Sequence, residues 1–527
     1  MSKLSKLSRA TIIVALSFAV NKVLAIVRQL IIARQFGLSA ELDVFNVANN
    51  VPDMLYSLIS GGALAMAIIP VLSEVLSKDG REESWRVFSR VANIAFLITA
   101  ILSLLVGVFA EPLVKSPWGI APGFTAEQQT LVVKIMRLDL VATLIFSMAG
   151  LLVAGLQANQ HFLLPAIAPI MYNLGQIFGA VILAPQEGVT LAGINLPAYG
   201  MGVYGIVYGV LIGSVLYLLT LIPGLFRYQF KWFPGLGTQN THVRKILSML
   251  APRVGSMLCY QLTFIARDNF ASYLSEGAPT ALTYGWMIQQ VPETLIGTAI
   301  GTALLPTISE LFSQGKKQEY HATINRVARV IIALAIPIAI VLALTLRPFL
   351  EFAFGFEYAA TDQLLWVTRG FLVGLLGHCL LELGSRLFFS QQNAVIPLIA
   401  ATLNLVIYII SGRMLSQSLD APGLALADSI AFTFQAGFLL LLFSRLRKRK
   451  KEKDDLPQAE FQGFAKERNL TILRTVAGSA AAGMTAWFVL QHNPLTSAVL
   501  QGSLSFLAGI LVIIPFIWKE IKVFLRM

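Results

Sequence analysis

Apolar runs separated by short polar breaks alternate along the whole chain. Most runs reach the roughly 20 residues that an α-helix needs to cross a hydrocarbon core about 30 Å thick. We therefore predict an all-α, polytopic membrane protein with about fourteen transmembrane helices. The predicted helices cover residues 10–35, 44–76, 88–111, 130–156, 162–184, 201–226, 246–272, 280–312, 327–347, 363–389, 395–413, 421–444, 471–490 and 496–518.

The composition agrees with a membrane protein and narrows its chemistry. Of the 527 residues, 56% are hydrophobic and only 13% are charged, whereas soluble domains are about 25% charged. The two cysteines, Cys259 and Cys379, both lie in apolar runs. This placement argues against a disulfide framework and against a CxxC metal site.

Positive charge in the loops and at the helix ends lies almost entirely on one side of the membrane. With the N-terminus inside, the cytoplasmic segments hold 28 Lys and Arg residues and the external segments hold four. Basic residues favour the cytoplasmic side of a membrane, so this asymmetry predicts an even number of helices and two cytoplasmic termini. The basic run at 445–453 is then interpreted as a cytoplasmic loop beside anionic lipid headgroups, and no nucleic-acid partner is expected.

An internal repeat divides the predicted helices into two sets. Residues 61–92 align without gaps to residues 297–328. Because six helices separate the two copies, the repeat predicts two parallel six-helix lobes, an arrangement that favours a transporter over a channel or an intramembrane enzyme. The predicted parts are an N-lobe at 1–226, a C-lobe at 227–444, a basic cytoplasmic loop at 445–470 and two further helices at 471–527.

Ionisable side chains inside the predicted helices mark candidate functional sites. Placing one at a helix centre costs on the order of 2.5–3.5 kcal/mol. The first predicted helix carries Lys22, Arg28 and Arg34. Lys22 and Arg28 lie about 120° apart around the helix axis, so they can line two walls of one cavity. Arg34 is near the external end, where it can also reach the lipid headgroups.

Polar residues in later helices extend this set. Arg267 stands beside Asp268 in the seventh predicted helix, which predicts either a binding residue or a local ion pair. In the tenth, His378, Glu382 and Arg386 share one stripe. Such a stripe suits a proton relay or a self-neutralising seam in which Glu382 pairs with Arg386. Three more polar residues are candidates for the same interior: Asn173, Asn404 and Asp428.

Nothing in the sequence matches hydrolytic or nucleotide chemistry. The patterns GxxxxGK[ST], HExxH and GxSxG are absent. We therefore expect neither an enzyme nor an ATP-driven pump, and no metal or cofactor. Excess cationic groups in a membrane cavity instead suit a substrate with dense negative charge, such as a pyrophosphate, because arginine offers bidentate donors to phosphate oxygens.

Three segments carry a family resemblance. They read NKVLAIVRQLIIARQFG at 21–37, LQANQHFLLPAIAPIMYN at 156–173 and LLPTISELFSQG at 304–315. They resemble the MurJ (MviN) family of lipid II flippases, and the resemblance covers essentially the whole chain. It implies the multidrug/oligosaccharidyl-lipid/polysaccharide exporter fold in the bacterial inner membrane. It also implies movement of the undecaprenyl-pyrophosphate-linked peptidoglycan precursor from the inner to the outer leaflet, with cell-wall synthesis proteins as further partners.

The resemblance and the buried polar residues together give the candidate site. The candidate substrate-binding residues are Lys22, Arg28, Arg34, Asp43, Arg267 and Asn173. The candidates for ion or proton coupling are Asn404, Asp428, His378 and Glu382. The chain also departs from the family pattern: Lys22 stands where the family has Arg, Tyr56 and Met287 replace two further arginines, and Tyr408 replaces the acidic residue that would complete a sodium site with Asn404.

The missing arginines leave three alternatives open. The alternatives are a flippase for another polyprenyl-linked oligosaccharide, an ion-coupled drug or metabolite antiporter of the same fold, and a non-transporting scaffold of a wall-synthesis complex. Substituting both Lys22 and Arg28 by Ala separates these classes, because a scaffold retains its function while a lipid-pyrophosphate flippase loses it.

Overall fold

Helices form nearly all of the structure, a computed structural model that describes residues 6–59, 62–188, 190–191, 194–391, 393–451, 458–492 and 497–524. The chain divides into two units, Met1–Tyr273 and Leu274–Met527. The predicted all-α class is confirmed. In the described residues one small β-ladder occurs, in which β1 (Thr190–Leu191) pairs antiparallel with β2 (Ile194–Asn195).

The first unit contains nine helices among its described residues. They are α1 (Lys6–Phe36), α2 (Ala40–Ile59), α3 (Gly62–Lys78), α4 (Gly80–Val108), α5 (Ala110–Lys115), α6 (Ala126–Ala158), α7 (Leu163–Phe178), α8 (Val203–Arg227) and α9 (Thr241–Ala271). A π-helical turn at Gly179–Leu183 continues α7. This unit ends after α9, at Tyr273, whereas the predicted N-lobe ends before α9, at residue 226. The predicted relation of two parallel six-helix lobes stays a prediction.

Glycines at four-residue spacing allow α7 and α8 to approach closely. Gly175 and Gly179 lie on α7 and its π turn, and they face Gly209 and Gly213 of α8. A Cβ atom at Gly179 would lie 2.6 Å from the Cα of Gly209. Small residues at this spacing let helix backbones pack directly in membranes. The stripe therefore fixes the position of α7, which carries several residues of the candidate site.

The second unit contains the remaining eight helical elements among the described residues, of which α15 comprises two helices. They are α10 (Ala278–Glu293), α11 (Ala299–Ser313), α12 (Lys317–Phe354), α13 (Tyr358–Val373), α14 (Leu375–Ser390), α15 (Val395–Lys451), α16 (Gln458–His492) and α17 (Ala498–Phe524). A π-helical turn at Thr294–Thr298 joins α10 to α11.

A buried polar contact fastens the last two helices to α12. The Nη2 atom of Arg329 donates to Glu520 Oε1 at 2.8 Å, and its Nε atom donates to Thr471 Oγ1 at 3.1 Å. Thr471 Oγ1 also donates to Glu520 Oε1 at 2.7 Å. Around this contact the helices bury an apolar cluster that includes Val341 and Ile513. Helices α16 and α17 are thus built into the second unit.

Several predicted helix boundaries differ from the observed ones. The predicted helix 44–76 is described as α2 and α3, and residues 60–61 between them lie outside the described residues. The predicted helices 395–413 and 421–444 are both present: the range α15 contains two helices that meet at Asp420, whose backbone is not helical (φ 55°, ψ −141°). Pro422 lies just after this residue, where it cannot donate a backbone hydrogen bond.

The basic segment is more helical than its charge indicated. Helix α15 runs to Lys451 and α16 begins at Gln458, so most of the predicted loop 445–470 belongs to helices. Residues 452–457 lie outside the described residues. Lys and Arg are good helix formers, so a run of them does not end a helix.

Eleven helical segments in the described residues are long and apolar enough to cross a membrane. One of them, Val395–Leu446, contains two of the predicted helices. Neither α2 with α3 nor α9, which correspond to predicted helices 2 and 7, is among the eleven. The chain is therefore a multi-pass membrane protein, and the number fourteen stays a prediction.

Candidate functional site

Arg28 lies in a polar cluster formed by α1 and α7 of the first unit. Its Nη1 atom donates to Asn173 Oδ1 at 2.9 Å and also to the side-chain oxygen of Gln176. Asn173 Nδ2 donates to Asn21 Oδ1 at 2.8 Å, and the guanidinium lies 5.9 Å from the centroid of the Tyr172 ring. The buried Nε atom of Arg28 has no partner among the described residues. The cluster thus retains a charged donor for an anion.

Two carboxyl groups extend this cluster towards α2 and α6. Arg28 interacts electrostatically with Asp53 of α2, an exposed residue, and Asp53 interacts with Asp139 of α6. Asp139 is only 3% exposed, and within the described part of the chain neither of its carboxyl oxygens has a hydrogen-bond partner. One turn further along α6, Thr143 Oγ1 donates to Pro52 O at 3.5 Å, which places this face of α6 beside Asp53.

Arg267 lies in a second polar cluster of the same unit. The residue is 8% exposed, its Nη2 atom is 3.4 Å from Asp268 Oδ1, and its guanidinium is 5.0 Å from the centroid of the Phe264 ring. The other carboxylate oxygen of Asp268 accepts a hydrogen bond from Asn50 of α2. The predicted local ion pair of Arg267 and Asp268 is therefore present. A role of Arg267 in substrate binding stays a prediction.

The three remaining substrate-binding candidates differ in their exposure. Lys22 and Arg34 are exposed on α1. Asp43 is buried in the first turn of α2, where the partial positive charge of the helix N-terminus favours a carboxylate. Of the six candidates, Arg28 and Asn173 are joined directly, by the hydrogen bond at 2.9 Å.

A buried His–Asp pair joins α14 and α15 in the second unit. The Nε2 atom of His378 lies 3.0 Å from Asp428 Oδ2. The imidazole stacks on the ring of Phe432, with centroids 4.0 Å apart and an angle of 17° between the planes. Glu293 of α10 interacts electrostatically with His378. This arrangement can hold a proton between an imidazole and a carboxylate within a membrane-spanning helix.

The other coupling candidates are an ion pair and an isolated amide. Arg386 Nη2 donates to Glu382 Oε2 at 2.9 Å, which confirms the predicted pairing along α14. Asn404 is 1% exposed, and neither atom of its side-chain amide has a hydrogen-bond partner among the described residues. No group of three or more His, Cys, Asp or Glu side chains in the described part of the chain is arranged to hold a metal ion.

The sequence prediction missed three residues of the Arg28 cluster: Asp53, Asp139 and Gln176. For Asp139 the signal was present, because it is an ionisable residue inside the predicted helix 130–156 and so meets the criterion that selected Lys22. Gln176 follows Asn173 by three residues and shares its helix face. Asn173 and Gln176 follow Arg28 by 145 and 148 residues in the sequence. No local sequence pattern indicates a contact over such a separation.

Comparisons with known proteins identify relatives over most of the chain. The family model described as lipid II flippase MurJ matches residues 32–499. A lipid II flippase MurJ from Burkholderia cenocepacia is 27% identical over 452 residues, which cover 84% of each chain. A protein named "Probable lipid II flippase MurJ" from Haemophilus influenzae is 24% identical over 491 residues, 89% of this chain and 90% of the relative.

Solved structures show the same fold. A lipid II flippase MurJ in an inward closed conformation has a TM-score of 0.74 at 22% identity, covering 96% of this chain and 98% of that one. An inward-facing multidrug resistance MATE family transporter of the MOP superfamily has a TM-score of 0.66 at 15% identity, covering 83% and 96%. The family model matches far more than half of the sequence, and this chain therefore belongs to the lipid II flippase MurJ family.

Proposed function

We propose that this protein moves lipid II from the inner to the outer leaflet of the bacterial inner membrane for cell-wall synthesis. The observation that carries the proposal is the Arg28 cluster in a member of this family. A membrane helix holds a guanidinium whose buried Nε atom is unpartnered in the described residues. The pyrophosphate of a polyprenyl-linked precursor supplies the oxygens for such a donor, and hydrogen bonds between charged groups are about twice as strong as neutral ones.

Other cationic residues complete the proposed transport path. Lys22 and Arg34 are exposed on the same helix as Arg28, and Arg267 is a further cation of the first unit. We assign Asp43 a role in shaping the substrate site at the start of α2. The protein works by alternating access, and its N- and C-termini face the cytoplasm, as the distribution of basic residues indicates.

We assign ion or proton coupling to the second unit. The buried pair of His378 and Asp428 is the centre of this role, with Glu382 and the buried amide of Asn404 as further polar groups. A change in the protonation of a buried ion pair alters the packing that it stabilises, so it can bias two conformations of the transporter.

Complementation in bacteria depleted of their own lipid II flippase tests the proposal. We expect the wild-type chain to restore growth and the exposure of lipid II at the outer leaflet. Arg28→Ala removes the charged donor and should not restore growth. Arg28→Lys keeps the positive charge but lacks the planar, bidentate guanidinium, so it should restore growth only in part.

The matched control is Arg137→Ala. Arg137 is an exposed arginine of α6 whose Nε atom donates to Gly107 O at 2.9 Å. This variant should behave as the wild type. Full rescue by Arg28→Ala at normal membrane levels would contradict the assignment of the anion site, and full rescue by the combined Lys22→Ala and Arg28→Ala variant would favour a scaffold.

A further inference from the structure

We propose that Asp53 and Asp139 form a proton-binding carboxyl pair that controls the charge which Arg28 offers to an anion. The pair lies in the first unit, apart from the coupling residues assigned to the second unit. Its regulatory role rests on the proposed function, since it acts on the same Arg28 cluster. The two members of the pair have opposite surroundings, and this difference assigns them different roles.

Asp139 is the member that stores a proton. It is almost fully buried in α6, and both carboxyl oxygens lack a partner among the described residues. The charged group that acts on it is Asp53, a second carboxylate, while Arg28 acts on Asp53 instead. An ionised carboxylate in an apolar interior requires a compensating charge or hydrogen bonds. Since neither is present for Asp139 among the described residues, its neutral acid form is the one that fits this site.

Aromatic side chains pack on the same face of α6, two turns beyond Asp139. Phe146, two turns after Asp139 on α6, contacts three tyrosines, with ring centroids 5.7 Å from Tyr56, 5.0 Å from Tyr172 and 5.7 Å from Tyr217. These residues belong to α2, α7 and α8, which pack against α6. Their phenol groups are neutral near pH 7. Among the described residues, the side chains that Phe146 contacts on these helices are therefore neutral and add no positive charge to this face of α6.

Asp53 is the member that exchanges its proton with solvent. It is exposed, and it interacts electrostatically with the positive charge of Arg28. An approaching pyrophosphate competes with this carboxylate for the guanidinium and is repelled by it. When a carboxylate oxygen of Asp53 takes a proton from water, its negative charge disappears, and Arg28 becomes free to pair with the phosphate oxygens. Binding of the anion is therefore coupled to the uptake of one proton.

Infrared spectroscopy of the purified protein tests the stored proton without any substrate. We expect the wild type to show the carbonyl band of a buried protonated carboxyl group at neutral pH, and Asp139→Asn to lose it. Asp79→Asn, which alters a half-exposed carboxylate before α4, is the control and should keep the band. A wild type without the band overturns the proposal, and so does a band that disappears when sodium is added at constant pH, because Asp139 then binds a cation.

Calorimetry with farnesyl pyrophosphate tests the coupling. In buffers of different ionisation enthalpy the wild type should take up close to one proton per ligand, and Kd should rise by up to about tenfold per pH unit. Asp53→Asn should lose the proton taken up by the protein, so that its Kd keeps only the pH dependence that comes from ionisation of the ligand's terminal phosphate. A wild-type Kd independent of pH, or an unchanged pH slope in Asp53→Asn, overturns the coupling.

The two experiments separate this proposal from the proposed function. If the infrared band is present but farnesyl pyrophosphate does not bind at any pH, the anion site at Arg28 is wrong, and with it the coupling. If the band is absent in a protein that transports lipid II, the proton pair is wrong and the proposed function stands.

Discussion

The close approach of α7 and α8 makes Gly175→Ala the sharpest test of how the fold supports the site. A Cβ atom at Gly175 would lie 2.4 Å from the Cα and 2.5 Å from the N of Gly213, whereas non-bonded carbon atoms prefer about 3.5–4.0 Å. Both of these atoms belong to the α8 backbone and cannot rotate away. The two helices must therefore separate by about 1 Å, and overpacking of this kind typically costs about 1–3 kcal/mol.

This displacement also affects the candidate site. Helix α7 carries Asn173 and Gln176, which accept the hydrogen bonds of Arg28. We expect Gly175→Ala to lower the midpoint of thermal unfolding in detergent and to reduce transport per folded molecule. The control is Gly437→Ala in α15, where an added Cβ has no heavy atom within 4 Å. Equal unfolding midpoints for the two glycine variants would refute the packing described for α7 and α8.

Two buried polar contacts of the second unit give further tests. Glu520→Ala removes a charged hydrogen-bond partner of Arg329, so it should lower the free energy of unfolding by about 1.5–3 kcal/mol. The control is Glu467→Ala, which removes the exposed partner of the same arginine and should lower that free energy by no more than about 1 kcal/mol. Similar losses in both variants would contradict the burial of the α12–α17 contact. A double-mutant cycle with His378→Asn and Asp428→Asn should give a coupling energy of about 0.5–3 kcal/mol in thermal unfolding. Additive effects within about 0.5 kcal/mol would show that the pair does not interact.

The hydrophobic pattern determines the membrane class and most of the helices, because a bilayer imposes one length and one composition on every spanning element. It also predicts the division at Asp420, because residues 395–413 and 421–444 are predicted as separate helices. It does not reveal the π turn at Thr294–Thr298, which lies inside the predicted helix 280–312 and changes the hydrogen-bond pattern without ending the helical segment Ala278–Ser313. The charge run after Arg445 predicts a loop only if polar residues end a helix, whereas Lys and Arg are good helix formers.

The candidate site was predicted in part, through the cost of burying ionisable groups. That cost selected Arg28, Arg267 and His378, each of which has a polar or charged partner in the structure. It could not show which partner each residue has, because contacts between α1 and α7 depend on tertiary packing that no sequence spacing records. Asp139 was missed although the same criterion applies to it.

Transport of lipid II in proteoliposomes containing only the purified protein tests the central claim most directly. Labelled lipid II is placed in both leaflets, and a membrane-impermeant reagent reports the fraction that reaches the outer leaflet with time. We predict rapid exchange with the wild type and exchange no faster than in protein-free vesicles with Arg28→Ala. Wild-type vesicles indistinguishable from protein-free ones, or Arg28→Ala vesicles as fast as the wild type, would contradict the account.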